Sequence, residues 1–226
     1  MGERTAEDRK VEGSTPSRGI FMFEKTILAR LSKADSFSLL NAIFGTTSIC
    51  LLFSNEWYAF IFIMLAVLAD GMDGTIARKY GSNLPIIDEF ADMISFVAAP
   101  SATLFNHYGL PTLPFIYAYI FASIIHLLNY HYGTKEIFVG LPTPAAAIVI
   151  ASICILSFPA WATIPIISML SILIFLPIKY TRLEGLERII ALIIIIVAIF
   201  GGDIIFIYIL LASTFIYIAL SPFMAR

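Results

Sequence analysis

Long apolar stretches are the feature of this sequence that most constrains its fold. Hydrophobic residues make up 59% of the chain and charged residues only 13%, so the apolar surface is more than a soluble domain could bury. A helix of roughly 20 apolar residues is long enough to cross a bilayer. We predict an all-α polytopic membrane protein with about eight transmembrane helices, at 37–54, 57–77, 89–106, 113–131, 142–158, 162–177, 187–201 and 204–221.

The chain before the first span is of a different kind. Residues 1–19 are polar, and we predict a disordered N-terminal tail there. Residues 20–34 alternate apolar and charged positions at helical spacing, which predicts a juxtamembrane amphipathic helix in the membrane interface. Residues 35–226 would form the transmembrane domain. The two cysteines, Cys50 and Cys154, lie inside apolar runs and are interpreted as packing residues.

The basic residues indicate an orientation. With the N-terminus in the cytoplasm, all 14 Lys and Arg residues fall on the inner side of the predicted spans. The prediction is therefore an integral protein of the cytoplasmic membrane with both termini inside. Because these residues follow the topology and do not cluster in one patch, we expect no nucleic-acid partner.

Four aspartates interrupt the apolar pattern around the second and third spans: Asp70, Asp73, Asp88 and Asp92. A carboxylate at membrane depth is costly, so it usually pairs with a cation and marks a functional site. The first two aspartates are one helical turn apart, and the last two are spaced i, i+4. Two antiparallel helices could therefore direct all four into one space, at the cytoplasmic ends of the spans.

Such a cluster predicts a metal site. Hard oxygen ligands without nearby His or Cys favour Mg²⁺ or Mn²⁺, and two such ions about 3.5 to 4 Å apart can clamp a diphosphate. Two other interpretations remain open: the aspartates could pair with Arg78, Lys79 and Arg182, or line the path of an ion-coupled transporter. A transporter would more often contain internal repeats, which the sequence lacks.

The spacing of these residues resembles a known signature. The string Asp70-x-x-Asp73-Gly74-x-x-Ala77-Arg78, followed by Asp88-x-x-x-Asp92, is similar to the motif of the CDP-alcohol phosphatidyltransferases. The segments 95–101 (Ser-Phe-Val-Ala-Ala-Pro-Ser) and 138–147 (Phe-Val-Gly-Leu-Pro-Thr-Pro-Ala-Ala-Ala) resemble the phosphatidylserine synthase branch of that family.

The resemblance implies a set of roles. Asp70, Asp73 and Asp88 would hold two divalent cations, Mg²⁺ or Mn²⁺, with Asp92 near them as the catalytic base. Gly74 and Ala77 would leave room for the cytidine nucleotide, and Arg78 would meet its phosphates. Ser38 and Asn41 on the first span would face the nucleotide, although a polar contact between helices is an equally open interpretation for both.

The activity implied is that of a membrane transferase, with 35–226 as its catalytic domain. It would move a phosphatidyl or archaetidyl group from a CDP-activated lipid to the hydroxyl of L-serine and release CMP. The same resemblance implies a homodimer among membrane lipids. Another acceptor, glycerol phosphate or inositol phosphate, is the alternative within the same chemistry.

Two departures from the family pattern stand out. Only nine residues separate Arg78 from Asp88, which is shorter than the family's link and lacks its glycine. Where serine synthases commonly carry an Arg-Leu pair, this chain has His126-Leu127. If that arginine reads the acceptor carboxylate, then Lys135, Lys179 or Arg182 would have to replace it.

Overall fold

The computed structural model describes residues 31–80, 84, 86–132, 139–181 and 183–224. These residues form helices and connecting turns, and no β-strand occurs among them. The described α-helices are α1 (Lys33–Leu52), α2 (Glu56–Tyr80), α3 (Ile86–Asp92), α4 (Ala99–Tyr108), α5 (Leu113–Tyr132), α6 (Thr143–Ile155), α7 (Ala160–Phe175), α8 (Gly185–Phe200) and α9 (Ile204–Met224). The predicted tail and most of the predicted amphipathic helix lie outside the described residues.

Within the described residues, four helical stretches are long and apolar enough to cross a membrane: Lys33–Leu52, Glu56–Ile76, Leu110–Asn129 and Ile204–Met224. Two shorter apolar helices are Thr143–Ile155 and Ala160–Phe175. The prediction of an all-α membrane protein is therefore confirmed. The number of crossings stays a prediction, because several of the predicted spans correspond to helices shorter than about 18 residues.

A capping box starts α1. The Ser32 hydroxyl accepts a hydrogen bond from the Asp35 amide at 3.2 Å, and Asp35 Oδ2 accepts from the Ser32 amide at 2.6 Å. This arrangement satisfies amide groups that the first helical turn would otherwise leave without partners. Lys33 and Ala34, which the sequence analysis assigned to the amphipathic helix, are consequently the first residues of α1.

A π-helical segment, Met93–Ala98, joins α3 to α4 and follows Asp92 directly. The Ala99 amide donates to the Ile94 carbonyl, five residues back. Pro100 has no N–H group to offer the Phe96 carbonyl one turn earlier. That carbonyl accepts a hydrogen bond from the buried Tyr119 hydroxyl of α5. A side chain of a neighbouring helix thus compensates for the proline.

Tyr119→Phe should therefore destabilise the protein. The substitution leaves the Phe96 carbonyl buried without this donor, which costs about 1–3 kcal/mol. We expect a lower midpoint of thermal unfolding in detergent. The matched control is Tyr117→Phe, which changes an exposed tyrosine two residues earlier on α5. This variant should leave the midpoint unchanged. Equal midpoints for the two variants would contradict a stabilising hydrogen bond from Tyr119 to the Phe96 carbonyl.

The helix α6 lies at the centre of the bundle. Its residues from Ala145 to Cys154 are all buried. One side, which includes Val149, packs in a cluster with α4, α5, α7 and α9. Another side, which includes Ala147 and Ala151, packs in a cluster with α2, α8, α9 and the π segment. Because several of these side chains are alanines, neighbouring backbones can approach α6 closely.

The link before α6 is fixed by a close backbone approach. Gly140 has a φ of +95°, and its amide donates to the Ile178 carbonyl at 2.8 Å. A Cβ atom at this position would lie 2.5 Å from the Ile174 carbonyl oxygen and 2.6 Å from Nδ1 of His126. Only glycine fits both the backbone conformation and the space. The link therefore lies directly against His126 of α5.

Candidate active site

Three of the predicted metal ligands come together. One carboxylate oxygen from each of Asp70, Asp88 and Asp92 lies within 4.8 Å of the others, and all three residues are half-buried. Asp70 comes from α2, whereas Asp88 and Asp92 come from α3. Their convergence follows from the i, i+4 spacing on α3 and from the reversal of the chain between α2 and α3. The side chain of Asp73, the fourth predicted ligand, lies outside the described residues.

Asn41 of α1 holds the cluster from one side. Its amide Nδ2 donates to Oδ1 of Asp92 at 3.1 Å. The Ser95 hydroxyl donates to the Asn41 carbonyl at 2.8 Å, which fixes α1 against the π segment. Asn41 Oδ1 is buried, and no described residue donates a hydrogen bond to it. The site therefore combines carboxylate oxygens with a buried amide oxygen, a donor set of the hard kind that Mg²⁺ and Mn²⁺ accept.

The aspartates open onto a cavity of about 550 Å³. Its walls are largely apolar and come from α2, α3, α5, α6, α8 and α9. The polar or charged residues that line it, apart from the three aspartates, are His126, Thr143, Thr181, Glu187, Arg188, Ser213, Thr214 and Tyr217. A pocket of this size and composition suits a ligand with both polar and apolar parts.

The predicted nucleotide-binding residues fall into two groups. Gly74 lines the cavity and leaves it open at the α2 wall. Ser38 and Asn41 lie buried on α1, where the Ser38 hydroxyl donates to the Ala34 carbonyl at 3.4 Å. Ala77 and Arg78 belong to α2, but their side chains lie outside the described residues.

None of the three predicted acceptor-binding cations is among the described residues that line the cavity. Lys179 is exposed, pairs its backbone with Val139 and is absent from the cavity walls. Lys135 and Arg182 lie outside the described residues. The two residues that flank Arg182, Thr181 and Leu183, both line the cavity.

The link between α7 and α8 carries its own hydrogen bonds. The Tyr217 hydroxyl of α9 donates to the Thr181 carbonyl at 3.0 Å, and the Thr181 amide donates to the Ser221 hydroxyl at 2.7 Å. Tyr180 is buried beside them, and this burial raises the pKa of its hydroxyl above the usual value. The link is thus anchored to α9 at the edge of the cavity.

A fifth acidic residue, Asp35, is buried outside the cluster. Besides capping α1, its Oδ1 accepts from the Leu84 amide at 3.4 Å. It therefore ties the start of α1 to the shortened link between α2 and α3. Asp35 was not among the predicted site residues, although the Ser-x-x-Asp spacing that begins at residue 32 is a capping-box signal.

Two further cavity residues were not among the predicted site residues. Arg188 was counted only among the basic residues that indicate the topology, yet it lines the cavity and donates to the Thr75 hydroxyl at 2.6 Å. His126 was predicted only as a departure from the family pattern. His126 is buried, lines the same cavity and forms a hydrogen bond with the Ile174 carbonyl.

The fold and the site together define an integral membrane protein with a carboxylate centre suited to divalent cations. The sequence model of the CDP-alcohol phosphatidyltransferases matches residues 31–179. The chain belongs to this family of membrane enzymes, whose activity is metal-dependent, and the resemblance stated from the motif is confirmed.

Three curated relatives are similar to this chain. Archaetidylserine synthase of Methanothermobacter thermautotrophicus is 31% identical over 183 residues, which cover 73% of this chain and 76% of that protein. CDP-diacylglycerol–serine O-phosphatidyltransferase of Methanocaldococcus jannaschii is 32% identical over 126 residues, 54% of this chain and 59% of that protein. The enzyme of the same name from Bacillus subtilis is 32% identical over 129 residues, 52% of this chain and 71% of that protein.

Proposed function

We propose that this enzyme transfers a phosphatidyl or archaetidyl group from a CDP-activated lipid to the hydroxyl of L-serine and releases CMP. The observation that carries the proposal is the meeting of Asp70, Asp88 and Asp92 in a largely apolar cavity of about 550 Å³. Apolar walls suit a lipid and carboxylates suit a metal-bound diphosphate. The names of the three relatives support serine as the acceptor.

The cations would be two Mg²⁺ or Mn²⁺ ions held by Asp70, Asp73, Asp88 and Asp92. The fit rests on the clustered carboxylates, whose mutual repulsion calls for positive charge between them, and on the buried Asn41 amide oxygen beside Asp92. When bound, the ions supply the positive charge that offsets the diphosphate and the departing CMP.

The protein's own groups would act on the acceptor. Asp92 would accept the proton of the serine hydroxyl while the serine oxygen forms a bond to the lipid-side phosphorus. The bond from that phosphorus to the oxygen of CMP breaks, and CMP leaves with the electron pair. Asn41 fixes the orientation of the Asp92 carboxylate through the 3.1 Å hydrogen bond. Gly74, Ala77 and Arg78 would receive the nucleotide, with Ser38 behind them.

The topology belongs to the same proposal. Eight crossings would place both termini and all 14 Lys and Arg residues on the cytoplasmic side of the cell membrane. The aspartates would then lie at the cytoplasmic headgroup level, where water-soluble serine and a lipid donor can both arrive. We further propose a homodimer, which the family resemblance implies.

The test is an acceptor panel with purified protein. With CDP-archaeol or CDP-diacylglycerol and Mn²⁺ or Mg²⁺, we expect CMP release with L-serine, while glycerol 3-phosphate and inositol phosphate should give only background. Removal of the cations with EDTA should stop CMP release, and either cation should restore it. Release with a phosphorylated alcohol alone would reject serine. Serine uptake into vesicles without CMP release would reject the transferase.

A further inference from the structure

We propose that Arg188 binds the carboxylate of the amino-acid acceptor, an inference that rests on the proposed function. The carboxylate would lie in the same cavity as the aspartate cluster, against the wall that α8 contributes. The residue would thus determine acceptor specificity rather than take part in the chemistry of the phosphorus.

The position of Arg188 relative to the family match supports an acceptor role. The family model ends at residue 179, and α8 and α9 lie beyond it. These two helices nevertheless supply about two fifths of the residues that line the cavity, from Glu187 to Tyr217. Arg188 therefore lies on the part of the cavity wall that the family model does not match, whereas the three clustered aspartates lie inside the matched segment.

The hydrogen bonds of Arg188 hold its guanidinium in a position from which it can bind an anion. Its Nη1 donates to the Thr75 hydroxyl oxygen at 2.6 Å, and that hydroxyl in turn donates to the Gly71 carbonyl at 2.8 Å. This chain of bonds fixes one edge of the guanidinium on α2. An arginine has five N–H donors, so the bond to Thr75 leaves others for a planar carboxylate.

The charges around the cavity also favour the binding of a carboxylate by Arg188. Among the described residues that line it, Arg188 is the one basic side chain other than a histidine. No described acidic residue forms an ion pair with it. Arg188 also lies in the first turn of α8, where the helix dipole disfavours a cation. A bound carboxylate would offset both the half-buried charge and the dipole.

The experiment compares Arg188→Gln and Arg188→Lys with the wild-type full chain. We expect Arg188→Gln to raise the KM for serine about 10- to 100-fold, as for the loss of a charged hydrogen bond, and to change the KM for CDP-lipid less than about twofold. The serine KM of Arg188→Lys should fall between those of the wild type and Arg188→Gln. Lysine keeps the positive charge but loses the paired N–H donors of the guanidinium. Thr75→Val should raise the serine KM by a smaller factor.

Three measurements separate this role from a structural one. Equilibrium binding of radiolabelled L-serine should weaken by the same factor as KM rises, while the thermal midpoint stays unchanged. L-serinamide, which lacks the carboxylate, should react equally with wild type and Arg188→Gln. Glu184→Gln, which removes an exposed charge just before α8, is the matched control and should behave as wild type.

Each contrary outcome has one meaning. An unchanged serine KM in Arg188→Gln overturns the inference and leaves the proposed function standing. A rise in the CDP-lipid KM equal to that for serine also overturns it and assigns Arg188 to the diphosphate. If the wild type releases no CMP with serine, the proposed function itself fails, and this is known before any variant is compared.

Discussion

Asp88→Asn is expected to lower kcat about 100- to 1,000-fold, the loss typical of removing one preorganised electrostatic contact in an active site. Asparagine has nearly the same shape as aspartate, so the helix and its packing should persist. The substitution removes one negative charge from a cluster whose oxygens lie within 4.8 Å of one another. It also turns a hard ligand oxygen into an amide group that can present N–H donors to a cation.

The measurement is CMP release, with Mn²⁺ binding followed by electron paramagnetic resonance as a readout independent of turnover. Both should fall in Asp88→Asn. The matched control is Asp203→Asn, because Asp203 is exposed and its Oδ1 accepts from the Ile205 amide at the start of α9. Asparagine can keep that cap, so this variant should retain full activity. Wild-type turnover and Mn²⁺ binding in Asp88→Asn would reject the metal assignment.

The sequence predicted the aspartate cluster because helical spacing alone determines which side chains share a face. Asp88 and Asp92 are one turn apart on any helix, and the link between α2 and α3 is short enough for both to meet Asp70. The part of the cavity wall that α8 and α9 supply could not be predicted in the same way. The apolar runs of these helices contain few polar residues to fix their rotation, so nothing local indicated that Arg188 lines the same cavity as Asp70.

The fold, like the site, could be predicted from the sequence only in part. Apolar length predicted the helices of the bundle, since burial of backbone polar groups in lipid permits little else. The interruption of the third predicted span was not predicted. It depends on the π segment, on Pro100 and on the Tyr119 hydroxyl that reaches the Phe96 carbonyl from another helix. Interactions between distant parts of the chain decide such details, and periodicity contains no information about them.

The buried face of α1 consists mostly of small or polar side chains, and at Gly45 the helix lies directly against the π segment. A Cβ atom at residue 45 would lie 2.6 Å from Cα of Ser95 in the π segment and would also overlap the Ser95 side chain. Backbone cannot yield as a flexible side chain can, so α1 and the π segment would have to separate. Only a residue without a side chain permits the present distance.

Gly45→Ala should therefore lower both stability and activity. Overpacking a close contact of this kind costs about 1–3 kcal/mol, which should appear as a lower thermal midpoint in detergent. The activity should fall about 10- to 100-fold, because a shift near 1 Å would break the Ser95–Asn41 contact and the bond from Asn41 to Asp92.

Gly71→Ala separates this packing effect from the general effect of adding a methyl group to a membrane helix. At that position the nearest atom to the new Cβ is Leu192 Cδ2 at 3.7 Å, an ordinary van der Waals distance. Alanine also favours the helix by about 0.5–1 kcal/mol over glycine, so the midpoint should hold or rise. Equal midpoints for Gly45→Ala and Gly71→Ala would contradict the close packing of α1 on the π segment. A Gly45→Ala variant that loses stability but keeps full activity would instead mean that the position of Asn41 does not control Asp92.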